Sequence, residues 1–174
     1  MCAKNEQEDN MSVSEDAGIN LGQNNGANKV EILTVNKKSD LPEWANMETL
    51  AVFFHEQMKP YHDEMDDVRR GLDYAFDEQR GGFLVLAHQG QRLVGGLTML
   101  DTRMGGYIPR NLLLFVAVLP SLRGQGIGRR LIESAATACK GPIKLHVEHD
   151  NPARRLYERV GFTSKYLEMR WSRP

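Results

Sequence analysis

The stretch LPSLRGQGIGRRLIESAATACK, Leu119 to Lys140, decides how this chain is read. Gly124, Gly126 and Gly128 stand at every second position, between an apolar run and a helical pattern. The run before them, LLLFVAVLP, is continuously apolar and predicts a strand buried on both faces. Behind them Ile127, Leu131, Ala135 and Cys139 fall four apart, in line on one helix face, until Gly141-Pro142 stops the helix. A strand, a glycine-rich turn and a helix N-terminus together make an anion site. The first amide hydrogens of the helix have no partner in it, and the helix dipole favours negative charge there. A merely tight turn would need one or two glycines, not three followed by Arg129-Arg130.

Working outward, KVEILTVNK reads as a first strand. SDLPEWANMETLAVFFHEQMK predicts a helix capped by Ser39 or Asp40, with Pro42 in its first turn. Its apolar face is Leu41, Trp44, Met47, Ala51, Phe54 and Met58, and Pro60 ends it. Tyr61, Met65, Val68, Leu72 and Phe76 repeat that spacing in a second helix. FLVLAHQGQRLVGGLTML reads as a hairpin turning at His88-Gln89-Gly90-Gln91. IKLHVE is a further strand, NPARRLYERV a short helix, and FTSKYLEMRW a closing strand. The expected order is βααβββαβαβ, an α/β sheet with helices on both faces.

Composition narrows the function. With 174 residues, 41% apolar and 26% charged, the chain suits one soluble domain with a real core. A formal net charge of −1 argues against a nucleic-acid partner. No apolar run approaches the ~20 residues of a membrane span. Residues 1–28 hold one of the 22 basic and five of the 23 acidic residues, no aromatic and no apolar stretch. Such a segment is expected to be a disordered tail, with the domain spanning 29–174. Cys2 and Cys139 suggest no disulfide framework, which favours a cytoplasmic setting, and Cys139 reads as a buried structural thiol. There is no CxxC or HExxH motif and no case for a metal.

Which anion is bound? The P-loop pattern is absent. The dinucleotide fingerprint finds Gly124, Gly126 and an acid at Glu148, but its third glycine should stand at 129, which is Arg. Five residues also separate the strand from Gly124, and only 26 follow Glu148.

VAVLPSLRGQGIGRRLI resembles the acetyl-coenzyme A motif of the GNAT superfamily of N-acetyltransferases, [Q/R]-x-x-G-x-[G/A], with Arg123, Gly126 and Gly128 in its three places. NPARRLYERVGF resembles the second family motif through Asn151, Ala153, Leu156, Tyr157, Glu158, Gly161 and Phe162. The resemblance covers about residues 30–172. It implies a mixed, mostly antiparallel sheet and acetyl-CoA as cosubstrate. Val116 and Val118 would pair with the pantetheine arm in a gap where two strands splay apart. The amides of Gly124, Gln125, Gly126, Ile127, Gly128 and Arg129 would hold the pyrophosphate, and Asn151 would touch the arm from the other side. Arg123 and Arg129 would add charge, or be solvated surface. Family analogy also allows a homodimer.

The resemblance further implies direct transfer of acetyl from the thioester to an amine, with Tyr157 protonating the departing thiolate. A phenol of pKa near 10 suits that task. The alternative for Tyr157 is a packed core tyrosine. The amine must be neutral, and freeing the lone pair of a lysine-like amine at pH 7 costs about 4–5 kcal/mol. Many relatives carry a glutamate on the fourth strand for this purpose. Here Leu113 to Val118 holds no acid. His146 and Glu148, on one face of a strand, are the substitutes, with His149 in the following turn, or all three are surface residues at a strand end.

The first two helices and the loop DTRMGGYIPRN would frame the acceptor, a small-molecule or peptide amine. Asp63, Glu64, Asp66 and Asp67 form either an anionic lip or an ordinary acidic helix start, and Arg103, Tyr107 and Arg110 could meet a carboxylate. A non-catalytic acetyl-CoA-binding module on the same fold is the rival reading. Thiol release on a panel of amines separates the two.

Overall fold

A computed structural model describes residues 29–173. The expected tail, residues 1–28, lies outside them. Five strands form one sheet in sequential order: β1 Glu31–Val35, β2 Gly82–Gln89, β3 Arg92–Asp101, β4 Asn111–Val118 and β5 Ile143–Leu145. Neighbours run antiparallel except β4 and β5, which are parallel. Helices α1 (Met47–Gln57) and α2 (Met65–Ala75) cover one face. Leu50, Phe54, Val68 and Leu72 pack there on Leu84, Leu86 and Phe115. On the other face α3 (Ile127–Ala138) and α4 (Arg154–Val160) bring Leu131, Ile132, Ala135 and Tyr157 onto Val85, Leu97 and Met99. The sheet is the mixed, mostly antiparallel α/β architecture expected, with helices on both faces.

Three expectations are corrected. The first helix begins at Met47, not after Ser39 or Asp40. Pro42 favours an extended Leu41 before it, so residues 38–45 make two separate 3-10 turns. Asn46 is the cap instead: its side chain accepts the Thr49 amide at 2.9 Å. The strand read over IKLHVE keeps only Ile143–Leu145, because His146 to Glu148 leave the ladder. The closing strand over Phe162 to Trp171 does not form. β-Rich composition makes no strand without a partner edge, and β5 beyond Leu145 provides none. Tyr166, Leu167, Met169 and Trp171 consequently stand exposed.

β4 is apolar on both faces, as its sequence requires. Leu112, Leu114, Phe115 and Ala117 face α1 and α2, while Leu113, Val116 and Val118 face α3 and α4. Leu114 and Phe115 share a side because Met99 pairs with Leu113 and Thr98 with Phe115, which leaves Leu114 as an extra residue. Such a bulge bends its strand. Among the described residues no helix is long and apolar enough to cross a membrane.

Gly71 lets α2 lie directly on this bulge. A Cβ there would stand 2.6 Å from Leu114 Cδ2 and 2.8 Å from Phe115 Cε2. Alanine would gain about 1 kcal/mol of helix propensity, but overpacking costs typically about 1–3 kcal/mol. Gly71→Ala therefore lowers the thermal midpoint, measured by circular dichroism; a raised midpoint would show that helix propensity wins.

Candidate active site

The site begins where β4 and β5 part. They pair only at Asn111–Ile143, Leu112–Lys144 and Leu113–Leu145, and then diverge. Leu119 N donates to Val94 O on β3 at 2.9 Å. Alternation along a strand therefore turns the backbone groups of Val116 and Val118 away from β3, into the opening. Both residues singled out for pairing with an extended ligand lie on this free edge.

Beyond β4 the chain makes a 3-10 turn at Pro120–Leu122 and enters the glycine loop. The three glycines serve two purposes. Gly124 and Gly126 have φ of +78° and +80°, and space around both is open. Left-handed backbone there costs a side-chain-bearing residue roughly 1–2 kcal/mol. Gly128 instead admits α4, since a Cβ on it would lie 3.0 Å from Leu156 Cδ2. Gly126 precedes the first turn of α3 and supplies no side-chain cap. Among the described residues, no acceptor takes the amide hydrogens of Gly124, Gln125, Gly126, Ile127, Gly128 or Arg129. Six donors on one bend beside a helix N-terminus suit a diphosphate. Ile127 is buried and anchors the bend in the core, and Gln125 Nε2 reaches Ser121 O at 3.4 Å.

The arginine side chains are engaged with the protein. Arg123 donates from Nε to Val118 O at 3.1 Å and from Nη2 to Gln57 O at 2.8 Å. Arg129 Nε meets Glu133 Oε1 at 2.7 Å, one turn along α3. In the β3–β4 loop Arg110 grips Asp101 with two hydrogen bonds of 2.7 and 2.5 Å, and Arg103 Nε donates to Arg80 O. Arg110 holds the Asp101 carboxyl below its usual range. Tyr107 is exposed. At the start of α2, Asp66 and Asp67 pair with Arg69 and Arg70.

Across the gap stands α4. Asn151 Oδ1 accepts the Ala153 amide at 2.9 Å, and its carbonyl accepts the Arg154 amide, so this residue fixes the turn that starts the helix. Gly161, with φ +109°, ends it. Leu156 packs on Gly128, and the next residue, Tyr157, is buried against Phe162 with ring centroids 6.0 Å apart. Burial first, and the Glu148 charge second, push the Tyr157 phenol up to about 12. Among the described residues no group bonds its hydroxyl. Glu148 is exposed; burial first, then the charges of Asp150 and Glu148, raise the phenol of Tyr61. His146 Nε2 points to Glu168 Oε2 at 3.8 Å. The Glu148 charge thus acts on the Tyr157 phenol, and His146 faces Glu168 of the C-terminal segment. Cys139 is half-buried at the end of α3, with its thiol pushed up to about 11 by burial. Among the described residues no cluster of His, Cys, Asp and Glu could hold a metal.

Sequence reasoning placed Tyr61 on the second helix, which begins only at Met65, and gave it no role at the site. Its hydroxyl donates to Asp150 O at 3.2 Å, joining the α1–α2 connection to the turn before α4. The two residues are 89 apart, and no local pattern marks the contact.

The model of the acetyltransferase (GNAT) family matches residues 41–162, most of the described chain. This chain belongs to the GNAT acetyltransferase family. A search of curated proteins gives no match. Solved structures share the GNAT fold at low identity. One is the aminoglycoside N-acetyltransferase AAC(6')-Iy in complex with CoA: 15% identity, TM-score 0.60, covering 83% of this chain and 95% of that one. Another is the aminoglycoside acetyltransferase meta-AAC0020 from an uncultured soil metagenomic sample, in complex with sisomicin: 17% identity, TM-score 0.57, 83% and 95% covered. A third is an integron cassette protein from the mobile metagenome of V. cholerae: 20% identity, TM-score 0.56, 82% and 93% covered.

The Tyr157 phenol gives this GNAT domain an alkaline signature. Unfolded, it ionises near pH 10; folded, only near 12. Between those values the unfolded chain has lost a proton that the folded chain keeps. The stabilisation is full below pH 10 and is lost as pH rises towards 12, about 3 kcal/mol in all. Denaturant unfolding across pH 9 to 12 should show a steeper loss in the wild type than in Tyr157→Phe; parallel curves would contradict the burial of this phenol.

Proposed function

We propose that residues 29–174 form an N-acetyltransferase domain that moves an acetyl group from acetyl-CoA directly to a primary amine of a small molecule or peptide. The observation that carries this reading is the row of six unclaimed amide hydrogens at Gly124 to Arg129, continuous with the free edge of β4. A diphosphate fits the first, and an extended amide-bearing arm fits the second. These amides would hold the pyrophosphate, with Arg123 adding positive charge at that corner and Arg129 doing so to the extent that a phosphate draws it from Glu133. Val116 and Val118 would pair with the pantetheine arm, and Asn151 would meet it from the α4 side.

Acetyl-CoA supplies an activated acyl group. The chain's own residues place it, exclude water and move protons. Tyr157 holds its proton at neutral pH, because burial disfavours the phenolate. Its hydroxyl, without a hydrogen-bond partner among the described residues, would give that proton to the sulfur that leaves. The raised pKa keeps the phenol protonated until the carbon–sulfur bond breaks, and it also makes the phenol a weaker acid towards the departing thiolate. Glu148 is favoured to accept the amine proton, directly or through water, since its charge reaches the Tyr157 phenol; His146 is the second candidate. The carboxylate also lowers the cost of bringing a cationic amine to the site. Two of the fold's neighbours are aminoglycoside acetyltransferases, one bound to sisomicin, which supports a small polyamine as the first acceptor to try.

Tyr157→Phe should lower kcat on a responsive amine by about 100-fold, the scale of a lost general acid, while coenzyme A affinity stays within twofold by calorimetry. Equal kcat in the two proteins would remove Tyr157 from the chemistry. In pH profiles of kcat/KM, Glu148→Gln should abolish the acidic limb and His146→Ala should leave it. The opposite pattern would assign the base to His146. Coenzyme A binding with no thiol release on any amine would favour the binding-module reading.

A further inference from the structure

The α1–α2 connection is attached at two points, one on each side of the β4–β5 opening. Gln57, the last residue of α1, gives its carbonyl to Arg123 Nη2 at 2.8 Å, and Arg123 Nε holds Val118 O, at the end of β4, at 3.1 Å. Four residues later the Tyr61 hydroxyl donates to Asp150 O at 3.2 Å, in the turn that leads from β5 to α4. The chain from Gln57 to Tyr61 therefore joins the two sides of the opening.

We propose that residues 57–61 are a strap across the site, that Arg123 and Tyr61 are its pins, and that both are positioning residues for the acceptor amine. The inference rests on the acetyl-transfer reading for its kinetic part and on the coordinates alone for its mechanical part. Arg123 suits its place for a physical reason. The last carbonyls of a helix lack partners within it, and a cation there also meets the negative end of the helix dipole. A guanidinium offers several donors in a rigid plane, so one side chain can hold two carbonyls at a fixed separation. A lysine ammonium keeps the charge but not the fork. Tyr61 reaches Asp150 through a single hydroxyl, and burial first, then the charges of Asp150 and Glu148, raise that phenol.

Between the pins the strap has its own order. Met58 N donates to Phe54 O and Tyr61 N to Met58 O. The His55 ring, 4.7 Å from that of His62, donates from Nδ1 to Asp63 O, 3.1 Å away. The strap is thus a short folded bridge whose position is set from both ends. If Val118 O is held by Arg123, a shift of the strap is transmitted to the edge on which the pantetheine arm would lie, and an acceptor reaching that edge must pass the strap.

The test uses the full chain and four proteins: wild type, Arg123→Lys, Arg123→Gln and Tyr61→Phe. Hydrogen exchange read by mass spectrometry over residues 58–62 should be at least tenfold faster in all three variants, with α3 and β2 unchanged. Calorimetry with coenzyme A and steady-state kinetics on the best amine give the second readout. Tyr61→Phe should raise the acceptor KM about tenfold with coenzyme A affinity within twofold, and Arg123→Lys should fail to restore what Arg123→Gln loses. Wild-type exchange over 58–62 in the variants would overturn the strap. Full rescue by Arg123→Lys would overturn the fork and assign Arg123 to charge alone. Wild-type protein that takes up no coenzyme A would refute the acetyl-transfer reading, while the exchange comparison would still decide the strap.

Discussion

Everything at this site follows from a parallel pairing that stops after three residue pairs. β4 continues for five residues past Leu113 with no strand beside it on the β5 side. Unpaired backbone inside a sheet is costly unless something else satisfies it. Here part of the answer is internal, since Arg123 takes Val118 O. The remainder is left to solvent or to a ligand with amides of its own. The bulge at Leu114 sits at the position where the strands separate, and it lets Leu114 and Phe115 share the face that receives α2. The opening is therefore a property of the packed core and not of a mobile surface.

The same opening orders the surrounding groups by chemistry. On one side lie amide hydrogens and the start of α3, where negative charge is favoured. On the other lie a buried phenol and the Glu148 carboxylate, where a proton is retained and a cation is favoured. α4 links the two, because Leu156 can approach α3 only where Gly128 has no side chain. Gly128 is thus a packing residue that sets the distance between the glycine bend and Tyr157. Enlarging it would push α4, and Tyr157 with it, away from the glycine bend.

How much of this was legible in the sequence varies by element, for physical reasons. The bend at Gly124 and Gly126 was legible because left-handed backbone selects glycine, and β4 because a strand packed on both faces must be apolar throughout. Tyr157 and Asn151 were recognisable through the second motif. The start of α1 was misread because Ser39, Asp40 and Asn46 are all competent caps; Pro42 holds Leu41 extended and so excludes the first two, and Ala45 and Leu50 are buried on either side of Asn46. The closing strand was misread because alternation in Leu167, Met169 and Trp171 records a preference for an edge, not the presence of one. The contacts of Arg123 with Gln57 and of Tyr61 with Asp150 join residues 66 and 89 positions apart. Such pairs leave no local trace, so the strap emerged only from the coordinates.

The central claim is that one run of free amides and one free strand edge together receive coenzyme A. Amide chemical shifts in 15N-labelled protein test it most directly. On titration with coenzyme A, the amides of Gly124 to Arg129 and of Val116 and Val118 should move first and furthest, while those of β1 and the outer face of α2 stay in place. Shifts confined to other regions, or none at saturating coenzyme A, would contradict the account.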